Sequence, residues 1–481
     1  MSNQPTSSSL DEAAQKALSL HQDGRLDEAA SLYDQILGAA PDHPEILYFS
    51  GALAAQTGDY ALALKRLNQA AGHAPHIADI HYNIGVVLKE LGRFQDAAEA
   101  YRRAVEINPD FPDAHNNLGF VLQSLNRLDD AADAYRRALK TNPDYTEVRT
   151  NLALLLKQCG DLEGAAAEFK RALEKSPENR ELEHDLRDTY RQMVPAWHFP
   201  MLNDRTRNET YQQAITKAVR PDDIVLDIGS GTGLLAMIAA KAGAKHVYAC
   251  EVVKPIAEIS RQIIADNGYA DKITVIDKLS TELEVGKDIP GPATLLISEI
   301  LDNALLGEGV LPTLRHANAC LISPDARMIP TSAVVWGTVI QCPEFKALNT
   351  AGGACGFNLD AFNYFRHTSF GFDWERENSV SLTHPFEILR FDFRDIPEGK
   401  ITRDIRITAT AEGTAQAVVV WFDLTLIDDI VFSTRIGERH NHWHQVIFLL
   451  DTELPLKPEQ TFTLTVGHTD KKLIVGLPSR P

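Results

Sequence analysis

Two glutamates, Glu299 and Glu308, lie in the segment SEILDNALLGEG, which opens on the last residue of the apolar run TLLIS. A short run of that kind reads as a strand, so both carboxylates belong to one strand end. Two like charges held together there repel and are costly unless a cation sits between them. A guanidinium is the natural guest, because its planar fork pairs bidentately with carboxylates. Its nitrogens are poor nucleophiles, since their lone pairs are delocalised. A site that clamps the group must work by aiming one nitrogen and drawing charge away from it. Alone, either glutamate would read as a surface carboxylate; the pairing argues for chemistry.

A second constellation lies upstream. The run IVLDI (224–228) ends in Gly229-Ser230-Gly231-Thr232-Gly233 and continues into the amphipathic stretch LLAMIAAKAGA. Strand, glycine turn and helix together make a nucleotide-binding start, because glycine lets a ligand approach the backbone. The next strand, HVYACE, ends in Glu251, a carboxylate placed to accept from both ribose hydroxyls. Dinucleotide enzymes space their glycines G-x-G-x-x-G; here Asp227 precedes G-x-G-x-G. The segment VLDIGSGTG resembles the first motif of the class I methyltransferases. The resemblance implies S-adenosylmethionine as cofactor, with Asp227, Gly229, Gly231, Gly233 and Glu251 around it. The strand KITVI (272–276) then leads into Lys278 and Ser280, at the usual place for adenine contacts.

At these residues the chain resembles the protein arginine methyltransferases over about residues 195–481. Glu299 and Glu308 match that family's double-glutamate loop, and WHFPMLNDRTRNETY is similar to its cofactor-covering helix. The resemblance implies that Met201 borders the arginine pocket and Arg207 binds the cofactor carboxylate. Asp204 would pair with a histidine. Downstream, NHWHQ resembles the family's T-H-W loop, with Asn441 in place of threonine. By that match His442 pairs with Asp204 and, with Trp443, shapes the acceptor site. His442 alone would read as a satisfied histidine of a sheet. His440, His442 and His444 alternate and could share a strand face, but no carboxylate or cysteine accompanies them, so no metal is expected. The implied activity is methyl transfer from S-adenosylmethionine to a guanidinium nitrogen of arginine in proteins. The degree of methylation is left open. Two rival readings are a methyltransferase acting on lysine or a small molecule, and a repeat scaffold with a vestigial fold. A neutral amine needs no double carboxylate clamp, and intact Asp227, Glu251, Glu299 and Glu308 oppose the scaffold.

These residues need elements to hold them. Before residue 195 the chain is periodic: prolines fall at 41, 75, 109, 143 and 177, a constant step of 34. Ala29, Ala63, Ala97, Ala131 and Ala165 form one column. Gly24, Gly58, Gly92, Asn126 and Gly160 form another, where a tight turn separates two helices. Ala17, Gly51, Gly85, Gly119 and Ala153 form a third, where facing helices approach closely. The pattern resembles the tetratricopeptide repeat: five helix–turn–helix units over residues 10–180, a capping helix at 181–194, and a disordered tail at 1–9. Asn83, Asn117 and Asn151 share one place in three repeats. They are either solvated polar residues or a ladder gripping an extended peptide or protein in the groove.

Parallel strands alternating with helices predict a Rossmann-like α/β domain over 195–321. The alternation in AVVWGTVIQ, QAVVVWFDLTL, QVIFLL and FTLTVG predicts antiparallel sheet over 322–481. There the family resemblance implies a β-barrel substrate domain. An aromatic insertion, 357–374, is either a covering loop or a dimerisation arm, which would make a homodimer.

At 481 residues, with 44% apolar and 23% charged side chains, the composition is that of a soluble multidomain protein. A net charge of −19 opposes direct nucleic-acid binding and suits a basic or arginine-rich protein substrate. Five scattered cysteines without a C-x-x-C pair, no leader pattern and no membrane-length apolar run predict a cytoplasmic protein.

Overall fold

The structure, a computed structural model, describes residues 7–355, 357–367, 369–372, 374, 378–435, 437 and 443–478. It divides into two compact units, Met1–Met193 and Val194–Pro481.

The first unit is a stack of helix pairs: α1 (Ser7–Gln22) with α2 (Leu26–Ala39), α3 (Pro44–Gln56) with α4 (Tyr60–His73), and α5 (Ala78–Glu90) with α6 (Phe94–Ile107). Then come α7 (Pro112–Ser124) with α8 (Leu128–Thr141), α9 (Thr146–Gln158) with α10 (Leu162–Lys175), and α11 (Arg180–Met193) packed on α10. Helix α1 already begins at Ser7, inside the segment expected to be a tail; residues 1–6 lie outside the described residues. The small-residue column is a packing necessity. A Cβ on Gly85 or Gly119 would come within 2.6 Å of the ring of Tyr101 or Tyr135, both fully buried. The turn column adopts positive φ throughout, and Asn126 does so at 57° because its short polar side chain tolerates that region. The proline period carries a bonding role too. Ring nitrogens of His81 and His115 bond the Pro75 and Pro109 carbonyls at 3.0 and 2.9 Å, and Arg149 donates to the Pro143 carbonyl at 2.7 Å.

The second unit opens with α12 (His198–Leu202) and α13 (Arg205–Ala218). There follow β1 (Ile224–Ile228), α14 (Leu234–Lys241), β2 (His246–Cys250), α15 (Lys254–Asp266), β3 (Ile273–Ile276), β4 (Ala293–Ser298), α16 (Val310–Cys320) and β5 (Ile322–Ile329). The five strands form one parallel sheet in the order β3-β2-β1-β4-β5. The order reverses between β1 and β4, so the crevice for a ligand opens beyond the carboxyl ends of those two strands. Asp227 and the glycine turn end one of them, and Glu299 ends the other.

Antiparallel structure follows: β6 (Ser332–Gln341), α17 (Pro343–Leu348), β7 (Gly353–Ala354), β8 (Phe357–Asn358), β9 (Ser369–Phe372), β10 (Val380–Ser381), β11 (Phe386–Asp392), β12 (Ile401–Thr408), β13 (Gly413–Ile427), β14 (Ile430–Ser433), β15 (Gln445–Leu456), β16 (Thr461–His468) and β17 (Leu473–Gly476). A seven-stranded sheet runs β10-β6-β13-β15-β9, with β11 on β6 and β14 on β13; β12, β16 and β17 form a smaller sheet. The alternation in these strands sorts residues between two cores rather than between core and water. Val339, Val418 and Val420 face the main core. Their neighbours Ile340, Ala417 and Val419 face a second cluster with Phe345, Phe372 and Ile447. Among the described residues no helix is long and apolar enough to cross a membrane.

Candidate active site

Beginning with the glycine turn, Gly229 and Ser230 amides both donate to the Cys250 carbonyl at 3.0 Å, tying β1 to the end of β2. The Gly231 amide donates to Glu251 Oε2 at 3.0 Å, and Val253 donates to Oε1 at 2.8 Å. Glu251 thereby fixes the turn it faces. Gly231, at φ +52°, has nothing within 4 Å of where a Cβ would stand, so the turn presents an open cradle. Gly229 differs: a Cβ there would lie 2.3 Å from Ile300 of the double-glutamate segment, so the two strand ends meet at van der Waals contact.

Asp227 is fully buried, and neither carboxylate oxygen has a hydrogen-bond partner. Burial pushes its carboxyl up to about 7, opposed first by the nearby Ala236 amide in the first turn of α14 and then by Arg207. On α13, Asp204 caps the helix by accepting from the Arg207 amide at 2.9 Å. Arg207 is 3% exposed and lies over the Tyr211 ring, 5.4 Å from its centre. Its guanidinium donates to Asn208 Oδ1 at 2.8 Å and to Glu299 Oε2, while its Nε lacks a partner. The residue expected to hold the cofactor carboxylate therefore also holds a member of the glutamate pair. Met201, on α12, is 8% exposed. Lys278 is committed elsewhere: Nζ donates to Asp288 at 2.5 Å, while its carbonyl accepts from Cys250 Sγ at 3.0 Å. Ser280 is buried where a 3₁₀ turn follows β3.

The two glutamates sit in unlike surroundings. Glu299 is buried and ion-paired with Arg207. Glu308 is exposed. Crowding by the protein pushes its carboxyl up to about 7, helped by the negative charges of Glu299, Asp302 and Glu251. Glu308 thus feels the charge of Glu299, the other member of the predicted pair.

One residue missed by sequence reasoning, Asp302, and one that it named, Trp443, build the loop between them. Asp302 Oδ1 accepts from the amides of Ala304 and Gly307 at 3.1 and 2.9 Å. Trp443 was expected to contact substrate. It is 3% exposed, edge-on to Phe422 and Phe432, and its indole N–H donates to the Leu301 carbonyl at 3.0 Å. In this position it ties the start of the loop to the antiparallel sheet. Asn441 and His442, and with them the pairing of His442 with Asp204, lie outside the described residues.

In the repeats, the amides of Asn83 and Asn117 donate to the hydroxyls of Tyr48 and Tyr82, and that of Asn151 to Asn116 Oδ1, each at 3.1 Å. Each amide thus staples its repeat to the one before.

The orphaned atoms test the fit of the cofactor. Arg207 keeps an N–H for a carboxylate, Asp227 suits an ammonium, and Glu251 stands beside an open backbone cradle for a ribose. An amino acid joined to a nucleoside matches that donor set.

Comparisons with known proteins agree. Residues 372–473 match the model of the arginine methyltransferase oligomerization subdomain. Residues 20–84, 87–126 and 116–180 match tetratricopeptide-repeat models, and 209–316 match that of ribosomal protein L11 methyltransferase (PrmA). The chain is 39% identical over 290 residues to an arginine N(omega)-methyltransferase of Streptomyces achromogenes subsp. streptozoticus, covering 60% of this chain and 80% of that one. It is 31% identical over 315 residues to protein arginine N-methyltransferase 7 of Oryza sativa subsp. indica, of which it spans 44%. Among solved structures, the Trypanosoma brucei PRMT1 enzyme–prozyme complex with AdoHcy matches with a TM-score of 0.51 and 26% identity, over 56% of this chain and 87% of that one. With the glutamate pair, the glycine cradle and a 39%-identical relative spanned over four-fifths of its length, this chain belongs to the arginine methyltransferase family.

Proposed function

We propose that the chain transfers a methyl group from S-adenosylmethionine to a guanidinium nitrogen of arginine in protein substrates. The observation that carries this reading is the coupled pair Glu299 and Glu308 beside the cofactor cradle. When bound, the cofactor supplies an electrophilic methyl on a sulfonium. Arg207, Asp227 and Glu251 hold its amino-acid and ribose ends, Gly229, Gly231 and Gly233 give it backbone access, and Lys278 and Ser280 border the base. Arg207 pairs with Glu299 and fixes its direction, so one arm of the clamp is rigid before an arginine arrives. Glu308 supplies the second arm. Its raised proton affinity suits it to take the proton that the methylated nitrogen sheds. Met201 and Asp204, held by α12 and the start of α13, border the acceptor, with His442 as Asp204's partner.

The repeats support recruitment of a protein partner. Their Asn83, Asn117 and Asn151 carbonyl oxygens are the ends offered to a peptide backbone, the N–H ends being spent on neighbouring repeats. Exposed Glu45, Asp79, Asp113 and Glu147 recur every 34 residues in the first turns of α3, α5, α7 and α9. They complement the helix dipoles and also favour a basic, arginine-rich partner. The insertion exposes Phe357, Phe362, Tyr364 and Phe365 by 68–88%. Such a patch supports a dimerisation arm on a second copy, where a cleft lined by Leu202, Leu234, Met237, Ile238 and Tyr269 would receive it. The antiparallel sheets act as a barrel-like wall of the arginine cleft, and five free thiols suit the cytoplasm.

A second reading, with arginine outside a polypeptide as acceptor, is favoured by the name of the Streptomyces relative, which specifies arginine alone. The test uses labelled cofactor with an arginine-rich peptide, its Arg→Lys counterpart and free arginine, each with wild type and Glu299→Gln. Label on the arginine peptide alone, abolished in Glu299→Gln, is expected. Label on the lysine peptide, or undiminished transfer in the variant, would sink the arginine reading. Label on free arginine only would select the second reading.

A further inference from the structure

The loop joining the two glutamates cannot hold Glu308 in place by packing alone, because Gly307 and Glu308 are exposed. Nor is its backbone relaxed: Leu305 adopts φ +75°, a left-handed conformation rare for a branched side chain, and Gly309 adopts +80° immediately before α16. Something must compensate that conformation. The half-buried carboxylate of Asp302 lies inside the turn, accepting from Ala304 and Gly307, while its own carbonyl accepts from the Leu305 amide at 2.9 Å. Gly307 approaches so closely that a Cβ there would stand 2.1 Å from Asp302 Oδ2. The Trp443 indole N–H donates to the Leu301 carbonyl at the start of the same loop.

We propose that Asp302 is a positioning residue of the arginine site: its carboxylate folds the loop that carries Glu308 and places that second arm opposite Glu299. The proposal rests on the arginine reading above. A fixed carboxylate accepting two amides is a charge-assisted turn, stronger than a neutral one. It also sets the charge around Glu308, which faces Glu299 and Asp302 of the loop and Glu251 from the end of β2. Asp302 therefore acts twice on one residue, through geometry and through field, and two substitutions separate the effects. Asp302→Ala removes both. Asp302→Asn keeps an oxygen for the two amides and removes the charge.

The test measures kcat/KM of the full-length protein for an arginine-rich peptide against pH, with S-adenosylmethionine affinity by calorimetry and a thermal melt for each variant. Asp302→Ala should lose about 10²-fold in kcat/KM, as expected when a clamping group is misplaced by about 1 Å, with cofactor affinity within about twofold. Asp302→Asn should recover at least about tenfold of that loss, and the acid limb of its profile should move to lower pH because Glu308 has lost a negative neighbour. Asp302→Ala within about threefold of wild type would overturn the proposal, and so would Asp302→Asn with an unmoved acid limb. Should Asp302→Ala fail to fold, the asparagine variant decides alone. A wild type that methylates no arginine would instead overturn the arginine reading.

Discussion

The two units distribute their buried polar atoms differently. In the repeats, the asparagine amides find tyrosine hydroxyls of the repeat before and histidine rings find proline carbonyls, and the atoms left without a partner (His43 Nδ1, the Tyr101 hydroxyl and His115 Nδ1) are scattered singly. At the end of the parallel sheet, Arg207 Nε, both oxygens of Asp227, Ser230 Oγ and the Tyr211 hydroxyl all lack partners. Leaving a buried donor or acceptor unmade costs about 1–3 kcal/mol, more for a charge. A fold tolerates several in one place only where a ligand is meant to complete them. The contrast separates polar residues that hold the molecule together from those that hold something else.

The largest effect expected from that contrast is on transfer itself. Glu299→Gln keeps the shape but removes the charge that pairs with Arg207 and that, on the proposed function, receives a substrate guanidinium. Loss of one preorganised electrostatic group costs about 10²–10³ in kcat. Measured in single-turnover assays, a loss below about tenfold would mean that Glu299 serves the stability of α13 rather than the reaction.

The next effect is on stability, and its sign is unusual. Asp227 has a folded pKa of about 7, raised by burial above its ordinary value. Its penalty is therefore absent below the unfolded pKa near 4, grows from pH 4 to 7, and is full above that. Asp227→Asn should stabilise the second unit by about 2–4 kcal/mol at pH 8 and much less at pH 5, while weakening cofactor affinity at least about tenfold. Thermal melts at the two pH values with cofactor titrations check both halves. No gain at pH 8 would show that the carboxylate is satisfied in the free protein.

Legibility in the sequence follows the same division. The repeat register, the glycine turn and the glutamate pair are local patterns, so the 34-residue step, the G-x-G-x-G spacing and the strand-end carboxylates can be read directly. The partner of Arg207 cannot: Glu299 is 92 positions away, and both were assigned to ligands rather than to each other. Trp443 reaches Leu301 across 142 positions, so its bond to the loop is not a local pattern. Asp302 did carry a signal, an aspartate two residues before one donor and five before a glycine, the pattern of a side-chain-capped turn. The staples were visible as well, since Tyr48 and Tyr82 recur at the repeat step one place ahead of the asparagine column.

Within the repeats the larger expected effect comes from the small-residue column. Gly119→Ala drives a methyl to 2.6 Å from the Tyr135 ring, which is 1% exposed and has no room to withdraw. Overpacking of this kind costs about 1–3 kcal/mol. Calorimetry of the full chain should show the repeat transition lowered and the cofactor-dependent transition in place. A variant as stable as wild type would mean that α7 and α8 can separate without penalty.

The smallest effect bears most directly on what the asparagines are for. Asn117→Ala removes the 3.1 Å bond to Tyr82 and leaves that hydroxyl without its donor. The expected cost is about 0.5–1.5 kcal/mol of repeat stability. If the amide only staples repeats, the affinity for an arginine-rich peptide should stay constant once the protein is folded. If its carbonyl end also grips a peptide, the triple variant at Asn83, Asn117 and Asn151 should weaken that affinity at temperatures well below its melt. Unchanged stability in Asn117→Ala would break the contrast between the two units, because the repeats would then hold polar groups as dispensable as the catalytic ones are costly.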